Sequence, residues 1–446
     1  MSGRRTACDR RPQGRLRVKV NSTENSGNQL IQIRIDHRVL SGFMILMLIA
    51  NVLVFSALWK DIRAGRNDFP IFYSNAQMVR EGRAADMYDF DAENSFVLRV
   101  SDVPRVRLNH VPYELLFFIP FTYLRFVPAY VLWASLCVGM LACVVLIMRR
   151  IQPNESSFLF TYLSVLTFFP VAFCLLTGQD SILLLLIFTL SFWFWKRGQD
   201  DAAGFALAFG LFRPQLLLPF VLIAFLARKW RFVRGFVPGA ILVLALSMCV
   251  VGFHGIVHYV GILVSLGTEK SQAVLDAQWT IKPGRMATWR GFLTVCLPAW
   301  VPSWISTFLL LCGTFAGLLW AASKLRRAKN ATSFDIAFAM CVAVVALTSF
   351  HSFLNDFSLL VLPLLIFGSL LAPPRYIPRK NALLLVTVGF IFFLSPLYMF
   401  LLLTDSLGWL LPVELFALWL LNRTLGGVPV PELEPRSVEA LSAAAT

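Results

Sequence analysis

The chain has 446 residues, of which 57% are hydrophobic and only 15% are charged, and its mean hydropathy is +0.69. Soluble domains carry about 25% charged residues, so the composition excludes a soluble globular enzyme, a disordered chain and a disulfide-rich secreted module. The net charge of +15 does not indicate nucleic-acid binding, because the basic residues form short clusters between apolar runs, where they orient membrane helices.

Apolar runs near the length of a membrane span recur over residues 39–421. They predict an all-α polytopic membrane bundle of about 10–12 transmembrane helices, since one span needs ~20 apolar residues. The first run ends in Lys60-Asp61 without a small-residue cleavage pattern, which indicates an uncleaved span. The predicted spans are residues 39–59, 127–148, 158–177, 181–195, 236–253, 305–323, 332–349, 357–371, 383–403 and 407–421.

Polar segments divide the chain further. We expect a basic cytoplasmic tail over 1–37, a transmembrane domain over 38–423 and a second cytoplasmic tail over 424–446. Within the domain, 60–112 and 254–290 are predicted outer loops. The pattern of residues 73–87 is typical of an amphipathic interfacial helix, and residues 113–126, broken by Pro120, predict a second one.

Residues 202–227 carry Arg213-Pro214 in the middle of an apolar run. Each half is too short to span, so we expect a re-entrant hairpin, whose irregular backbone must be lined by protein or face water. Two tilted full spans are the alternative, and they would place Arg213 at the outer surface.

The lysine and arginine clusters give the topology. If the chain crosses the membrane an even number of times, all of these clusters lie on one side of it, which the excess of lysine and arginine marks as the cytoplasm. We therefore expect a multi-pass protein of the cell (inner) membrane with both termini in the cytoplasm. The polar turns 178–180 and 351–356 then join the two outer loops on the outer, periplasmic face. We found no internal repeat of the kind typical of transporters. The clusters are the N-terminal tail, 149–150, 196–197, 228–234, 324–329 and 375–380.

Three polar residues beside the early spans are candidates for the site. Asp68 stands near the membrane boundary, where partial burial would let it take a proton from a hydroxyl; a solvated loop acid or a helix N-cap is the plainer interpretation. His110 suits a proton carrier or a sugar hydrogen bond, although a lone loop histidine is commonly neither. Gln179 lies in the turn Gly178-Gln179-Asp180 and could donate to a hydroxyl, although turn geometry accounts for its neighbours.

Later segments add cations and a second carboxylate. Arg213 near the bilayer interior is costly and suits a phosphate ligand, unless it snorkels to the interface or pairs with a buried acid. The 254–290 segment, which includes Arg290, mixes cations with aromatic rings, as a phosphosugar site or an aromatic membrane belt would. His351 and Asp356 share one short turn between spans, where a plain connector needs neither.

Nucleotide and metal motifs are missing from the sequence. No Walker loop occurs and no GxGxxG follows a strand. The eight cysteines are isolated, without CxxC, Cys/His or Glu-x-x-His spacing. We therefore predict no cofactor and no metal site.

Five motifs in chain order resemble glycosyltransferase family 87, a polytopic family of the GT-C superfamily. Arg213 stands where the family usually has lysine. The motifs are Asp68-Phe69 with Tyr73, Gly82 and Tyr88-Asp89; His110-Val-Pro-Tyr113; Thr177-Gly178-Gln179; Phe212-Arg213-Pro214-Gln215; and His351 with Asp356.

The resemblance implies an inverting hexosyltransferase that takes a sugar, commonly mannose, from a polyprenyl phosphate and gives it to a cell-envelope lipid or glycan. It implies catalytic roles for Asp68, as the base, and for His351, beside the donor phosphate. The remaining candidates are expected to bind substrate: Tyr73, His110, Gln179, Arg213, Gln215, Arg290 and Asp356. A transporter or flippase of lipid-linked or polar solutes is the alternative, and it would place ionisable groups near mid-membrane in several spans.

Overall fold

The computed structural model describes residues 30–32, 37–103, 110–152, 156–268, 282–298, 300–371 and 376–426. Most of the two predicted tails, residues 269–281 of the second predicted outer loop and Arg375 of a basic cluster lie outside the described residues.

The described residues form a bundle of α-helices, which confirms the predicted all-α class. Six helices are long and apolar enough to cross a membrane, or up to eight if each of two bent pairs is one span. Further apolar helices are shorter, so fewer than ten elements reach full span length. The helices are α1 (His37–Arg63), α2 (Phe69–Arg80), α3 (Phe90–Val97), α4 (Leu115–Phe118), α5 (Phe126–Ile151), α6 (Phe158–Thr167), α7 (Phe169–Thr177), α8 (Ser181–Lys196), α9 (Asp200–Ala208), α10 (Pro214–Leu226), α11 (Trp230–Thr268), α12 (Trp289–Cys296), α13 (Ser303–Arg327), α14 (Ala331–Thr348), α15 (Val361–Leu371), α16 (Arg379–Phe392), α17 (Ser395–Leu403) and α18 (Leu410–Gly426).

Short 3₁₀ helices and one small strand pair complete the fold. The strands Leu30–Gln32 and Tyr376–Pro378 pair antiparallel, with Ile31 opposite Ile377. The 3₁₀ helices are Ala84–Asp86, Pro112–Glu114, Ile119–Tyr123, Pro283–Arg285, Leu354–Leu360 and Leu407–Trp409.

Prolines bend two of the predicted spans. α6 and α7 meet at 68° beside Pro170, and α16 and α17 meet at 57° beside Pro396. Proline has no amide hydrogen and its ring clashes with the preceding turn, so a helix breaks just before it. The break in the third predicted span directs α7 towards the 178–180 turn.

The first predicted outer loop is folded into the protein. α2 begins at Phe69 and ends at Arg80, so the predicted bounds of 73–87 were wrong at both ends. Pro70 favours the early start, and Gly82, at a φ of 75°, ends the helix. Phe72 of α2 stacks on Phe118 with ring centroids 4.7 Å apart, and Phe118 contacts Trp133 of α5. This buried aromatic cluster fixes the loop on the bundle.

The second predicted outer loop is partly helical. α11 continues through residues 253–268, beyond a kink at Gly252 whose φ of 69° and ψ of 177° are not helical. Glycine tolerates this conformation without steric cost. Residues 254–268 of the second predicted outer loop are therefore helical.

The Arg213-Pro214 segment forms a hairpin of two short helices. α9 has 9 residues and α10 has 13, lengths that cannot cross a hydrocarbon core of about 30 Å. Arg213 lies at the tip and is buried.

Polar contacts tie together the helix ends that carry basic clusters. Asp335, at the start of α14, accepts from Lys196 Nζ at the end of α8 over 2.7 Å and from Gln152 beyond α5 over 2.9 Å. Ser369 near the end of α15 donates to Gln152. These four helix ends therefore share one end of the bundle, which we call the basic end.

Candidate active site

Asp68 is held at the opposite end of the bundle, between the first loop and the turn that follows α7. It precedes α2 but its side chain does not cap that helix. Its amide donates to the carbonyl of Thr177 over 3.0 Å, and Gln179 Nε2 donates to its Oδ2 over 2.9 Å. The carboxylate is half-buried, so one partner fixes it while part of it stays accessible.

The Gly178-Gln179 turn fits closely around the first loop. Gly178 has a φ of 73°, and a Cβ there would lie 2.7 Å from the Cβ of Phe69. Only glycine allows both this backbone conformation and this approach. Trp133 Nε1 donates to the Gly178 carbonyl over 3.1 Å. The turn therefore fixes where the Gln179 side chain meets Asp68.

Arg213 reaches the same turn from the tip of the α9–α10 hairpin. Its Nε donates to Asp180 Oδ1 over 3.1 Å, its Nη2 donates to Asp180 Oδ1 and Gln179 Oε1, and its Nη1 lies 3.8 Å from Asp356 Oδ1. The residue is only 5% exposed. Burial alone would lower its pKa, but Asp180 and Asp356 raise it. Arg213 is thus paired with buried acids, one of the alternatives that the sequence left open.

His110 precedes a 3₁₀ turn, Glu114 is its last residue, and both meet Asp180. His110 Nδ1 lies 2.7 Å from Glu114 Oε2. Burial raises the pKa of Glu114 and of Asp180 to about 7 each and lowers that of His110 to about 4. One ligand atom from each of the three residues lies within 4.8 Å of the other two, so this group could hold a metal ion.

Tyr113 fixes the hairpin tip beside this group. Its hydroxyl donates to the Phe209 carbonyl over 2.7 Å and accepts from the Phe212 amide over 3.2 Å. Both partners lie in the connection between α9 and α10. The side chain therefore sets the position of Arg213, the next residue along the chain.

The 351–356 turn closes the other side of the site. Asp356 Oδ2 accepts from the Phe353 amide over 3.1 Å, and its Oδ1 accepts from Ser181 Oγ over 2.8 Å. Burial, Arg213 and Arg290 lower the pKa of His351 to about 4, against the effect of Asp356. This imidazole is neutral near pH 7.

Arg290 approaches His351 from the start of α12. Its guanidinium lies 4.1 Å from the ring centroid of Phe350, and its Nη1 donates to the Phe350 carbonyl over 3.3 Å. Its charge acts on His351. Because Arg290 is only half-buried, its guanidinium stays partly accessible.

Most of the predicted site residues meet at this end of the bundle: Asp68, His110, Gln179, Arg213, Arg290, His351 and Asp356. Two do not join them. Tyr73 is buried, and its hydroxyl donates to the Leu124 carbonyl over 2.8 Å, so it packs the first loop. Gln215 lies in the first turn of α10, half-buried, and within the described ranges its side chain makes no hydrogen bond with the other candidates.

Sequence reasoning missed Glu114 and Asp180 as site residues. Each follows a motif residue and starts a helix, a position where acids are common for capping alone. Both side chains are fully buried, although buried acids are rare unless they are paired. An acid directly before a long apolar run was the one available signal.

The assembled groups suit transfer of a group from a phosphate to a hydroxyl. A half-buried carboxylate can accept the hydroxyl proton, and arginines with neutral imidazoles can stabilise the charge of a departing phosphate. None of the curated proteins that were compared matches the chain. The family model described as glycosyltransferase family 87 matches residues 111–290, a range that includes Glu114, Asp180 and Arg213. This match, over 180 of the 446 residues, agrees with the resemblance that the motifs showed and indicates glycosyltransferase activity, in a chain with six helices long and apolar enough to cross a membrane.

Proposed function

We propose that this glycosyltransferase moves a hexosyl group, mannose in the first instance, from a polyprenyl-phosphate sugar to a lipid or glycan acceptor of the cell envelope, on the outer face of the cell (inner) membrane. The observation that carries the proposal is the Asp68 carboxylate, fixed by Gln179 and half-exposed among buried cationic and polar groups.

The reaction is a single displacement. Asp68 takes the proton of the acceptor hydroxyl as its oxygen forms a bond to the anomeric carbon. The bond from that carbon to the phosphate oxygen breaks, and its electron pair leaves with the phosphate. Attack opposite the leaving group inverts the configuration, and the transition state is oxocarbenium-like.

The cations divide into two roles in this proposal. Arg290 and His351 are partly accessible and neighbour each other, so they contact the donor phosphate. Arg213 is enclosed by acids and is a positioning residue that holds Gln179, Asp180 and Asp356 in register. A phosphate leaving group needs little further activation.

The position of the site supports an outer face. α8 begins beside Asp180 and ends at Lys196, whereas α14 begins beyond the 324–329 cluster and ends before His351. The site and the basic end therefore lie at opposite ends of these helices. Because lysine and arginine favour the cytoplasm, the site faces outwards, with the lipid chain of the donor in the bilayer.

The test uses purified protein in nanodiscs with labelled polyprenyl-phosphate mannose and an envelope lipid extract. We expect labelled product that requires the extract, and none with Asp68→Asn. As the control, Asp91→Asn changes an exposed acid of the same loop and should retain transfer. No product from mannosyl or other hexosyl polyprenyl phosphates would contradict the proposal.

A further inference from the structure

We infer that His110, Glu114 and Asp180 bind one divalent first-row metal ion, of the Mn²⁺ or Zn²⁺ type, inside the site. The binding inference stands on the geometry of these three residues. Its use in catalysis, as positive charge near the donor phosphate, rests on the proposed function.

The three ligands come from two distant parts of the chain and converge. His110 precedes the Pro112–Glu114 turn and Glu114 ends it, whereas Asp180 lies between α7 and α8. One ligand atom of each lies within 4.8 Å of the others. The 2.7 Å between His110 Nδ1 and Glu114 Oε2 is near the ~3 Å that separates adjacent ligands when each is ~2.1 Å from one ion.

Each acid has one oxygen without a partner. Glu114 Oε2 faces His110 and Asp180 Oδ1 accepts from Arg213. Glu114 Oε1 and Asp180 Oδ2 are buried and, within the described part of the chain, have no hydrogen-bond partner. The two carboxyl side chains lie within hydrogen-bonding reach of each other. Two carboxylate oxygens without a donor are costly when buried, and a cation bound by both acids would compensate them.

The charge balance points the same way. Glu114, Asp180 and Asp356 are buried around Arg213. With all three carboxylates ionised, one guanidinium would leave two negative charges without compensation, and buried charge must be paired or neutralised. One divalent ion supplies two positive charges. A proton shared by Glu114 and Asp180 is the competing way to neutralise part of this charge.

The donor set selects the type of ion. One imidazole nitrogen with two carboxylate oxygens suits Mn²⁺ or Zn²⁺, whereas Mg²⁺ and Ca²⁺ prefer oxygen ligands alone. Three protein ligands leave positions open for water or for a phosphate oxygen. Arg213 repels such an ion but also holds Asp180, so its pairing with Asp180 Oδ1 leaves Oδ2 for the metal.

The test titrates Mn²⁺ into chelator-treated protein and records the EPR signal of free Mn²⁺. We expect about one bound ion for each chain and a rise in the melting temperature. Glu114→Gln and Asp180→Asn should each weaken Mn²⁺ binding at least ~10-fold. Glu414→Gln removes another buried acid, outside this group, and should leave Mn²⁺ binding unchanged.

The wild-type titration decides the question even if a variant fails to fold. The inference would be overturned if added Mn²⁺ leaves the EPR signal of free Mn²⁺ undiminished and if neither Mn²⁺ nor Zn²⁺ changes the metal content or the melting temperature of the protein. That result would favour the shared proton. Binding is measured without turnover, so it is separate from the transfer assay. Bound metal with no sugar transfer would contradict the proposed function while supporting the metal site.

Discussion

Gln179 Nε2 and Asp68 Oδ2 are joined by a hydrogen bond of 2.9 Å across 111 residues of sequence. The same Gln179 side chain accepts from Arg213. One amide therefore links the first loop, the turn after α7 and the α9–α10 hairpin. Through Arg213 the connection reaches Asp356 of the late turn.

Asp68→Asn should abolish transfer and preserve the fold. The amide keeps the shape of the carboxylate but accepts no proton at working pH, and loss of a general base costs ~10²–10⁴-fold in rate. The measurement is kcat with labelled donor, together with the melting temperature in detergent. A folded D68N variant that keeps at least a tenth of normal turnover would remove Asp68 as the base.

Gly178→Ala should reduce kcat more than ~10-fold. Its Cβ would meet Phe69 and shift Gln179 away from Asp68. Gly198→Ala is the matched control, because Gly198 has a φ of 72° but open space around its Cβ position. Both variants carry the left-handed cost of about 1–2 kcal/mol. Equal kcat in the two variants would contradict a role for the position of this turn.

Arg213→Ala should lower the free energy of unfolding by about 3–5 kcal/mol, because it leaves buried acids without their cation. Arg234→Ala breaks an ion pair with Asp201 whose side chains are 71% and 48% exposed, and it should cost no more than ~1 kcal/mol. Thermal unfolding in detergent measures both. Similar melting temperatures for the two variants would count against Arg213 as an enclosed positioning residue.

His351 should make stability depend on pH. Its pKa is about 4 in the folded protein and 6.5 in the reference state, so between these values the unfolded chain binds more protons. Stability from this group is present above pH 6.5 and is lost as the pH falls towards 4. His351→Asn should flatten the decline in melting temperature over that window. The same slope in the variant and the wild type would refute this assignment.

The sequence predicted the parts of the site that stand beside apolar runs. Asp68, Gln179 and His351 became candidates because they are polar residues beside apolar runs, and the resemblance to glycosyltransferase family 87 gave them their roles. The Lys/Arg clusters likewise marked the helix ends that Asp335 and Gln152 bring together at the basic end. Polar residues beside apolar runs and clusters of basic residues are both local features, so a single sequence is enough to detect them.

Contacts between distant segments were not predictable in this way. The burial of α2 depends on the contact between Phe72 and Phe118. The spacing of apolar residues in 73–87 does not predict that contact. Asp180 acts as a partner of Arg213 only because the hairpin tip reaches the turn. The helix beyond Gly252 was not predicted because the glycines at 252, 255 and 261 interrupt the apolar run.

The most direct test of the account labels single cysteines, in a cysteine-free background, with a membrane-impermeant maleimide applied to intact cells. In the proposed topology Asp68 and His351 lie in one outward-facing site, whereas Arg150 and Lys329 lie at the cytoplasmic end. Cysteines at 68 and 351 should react from outside, and those at 150 and 329 only after the membrane is opened. Labelling of 68 and 351 from opposite sides, or of 150 from outside, would contradict it.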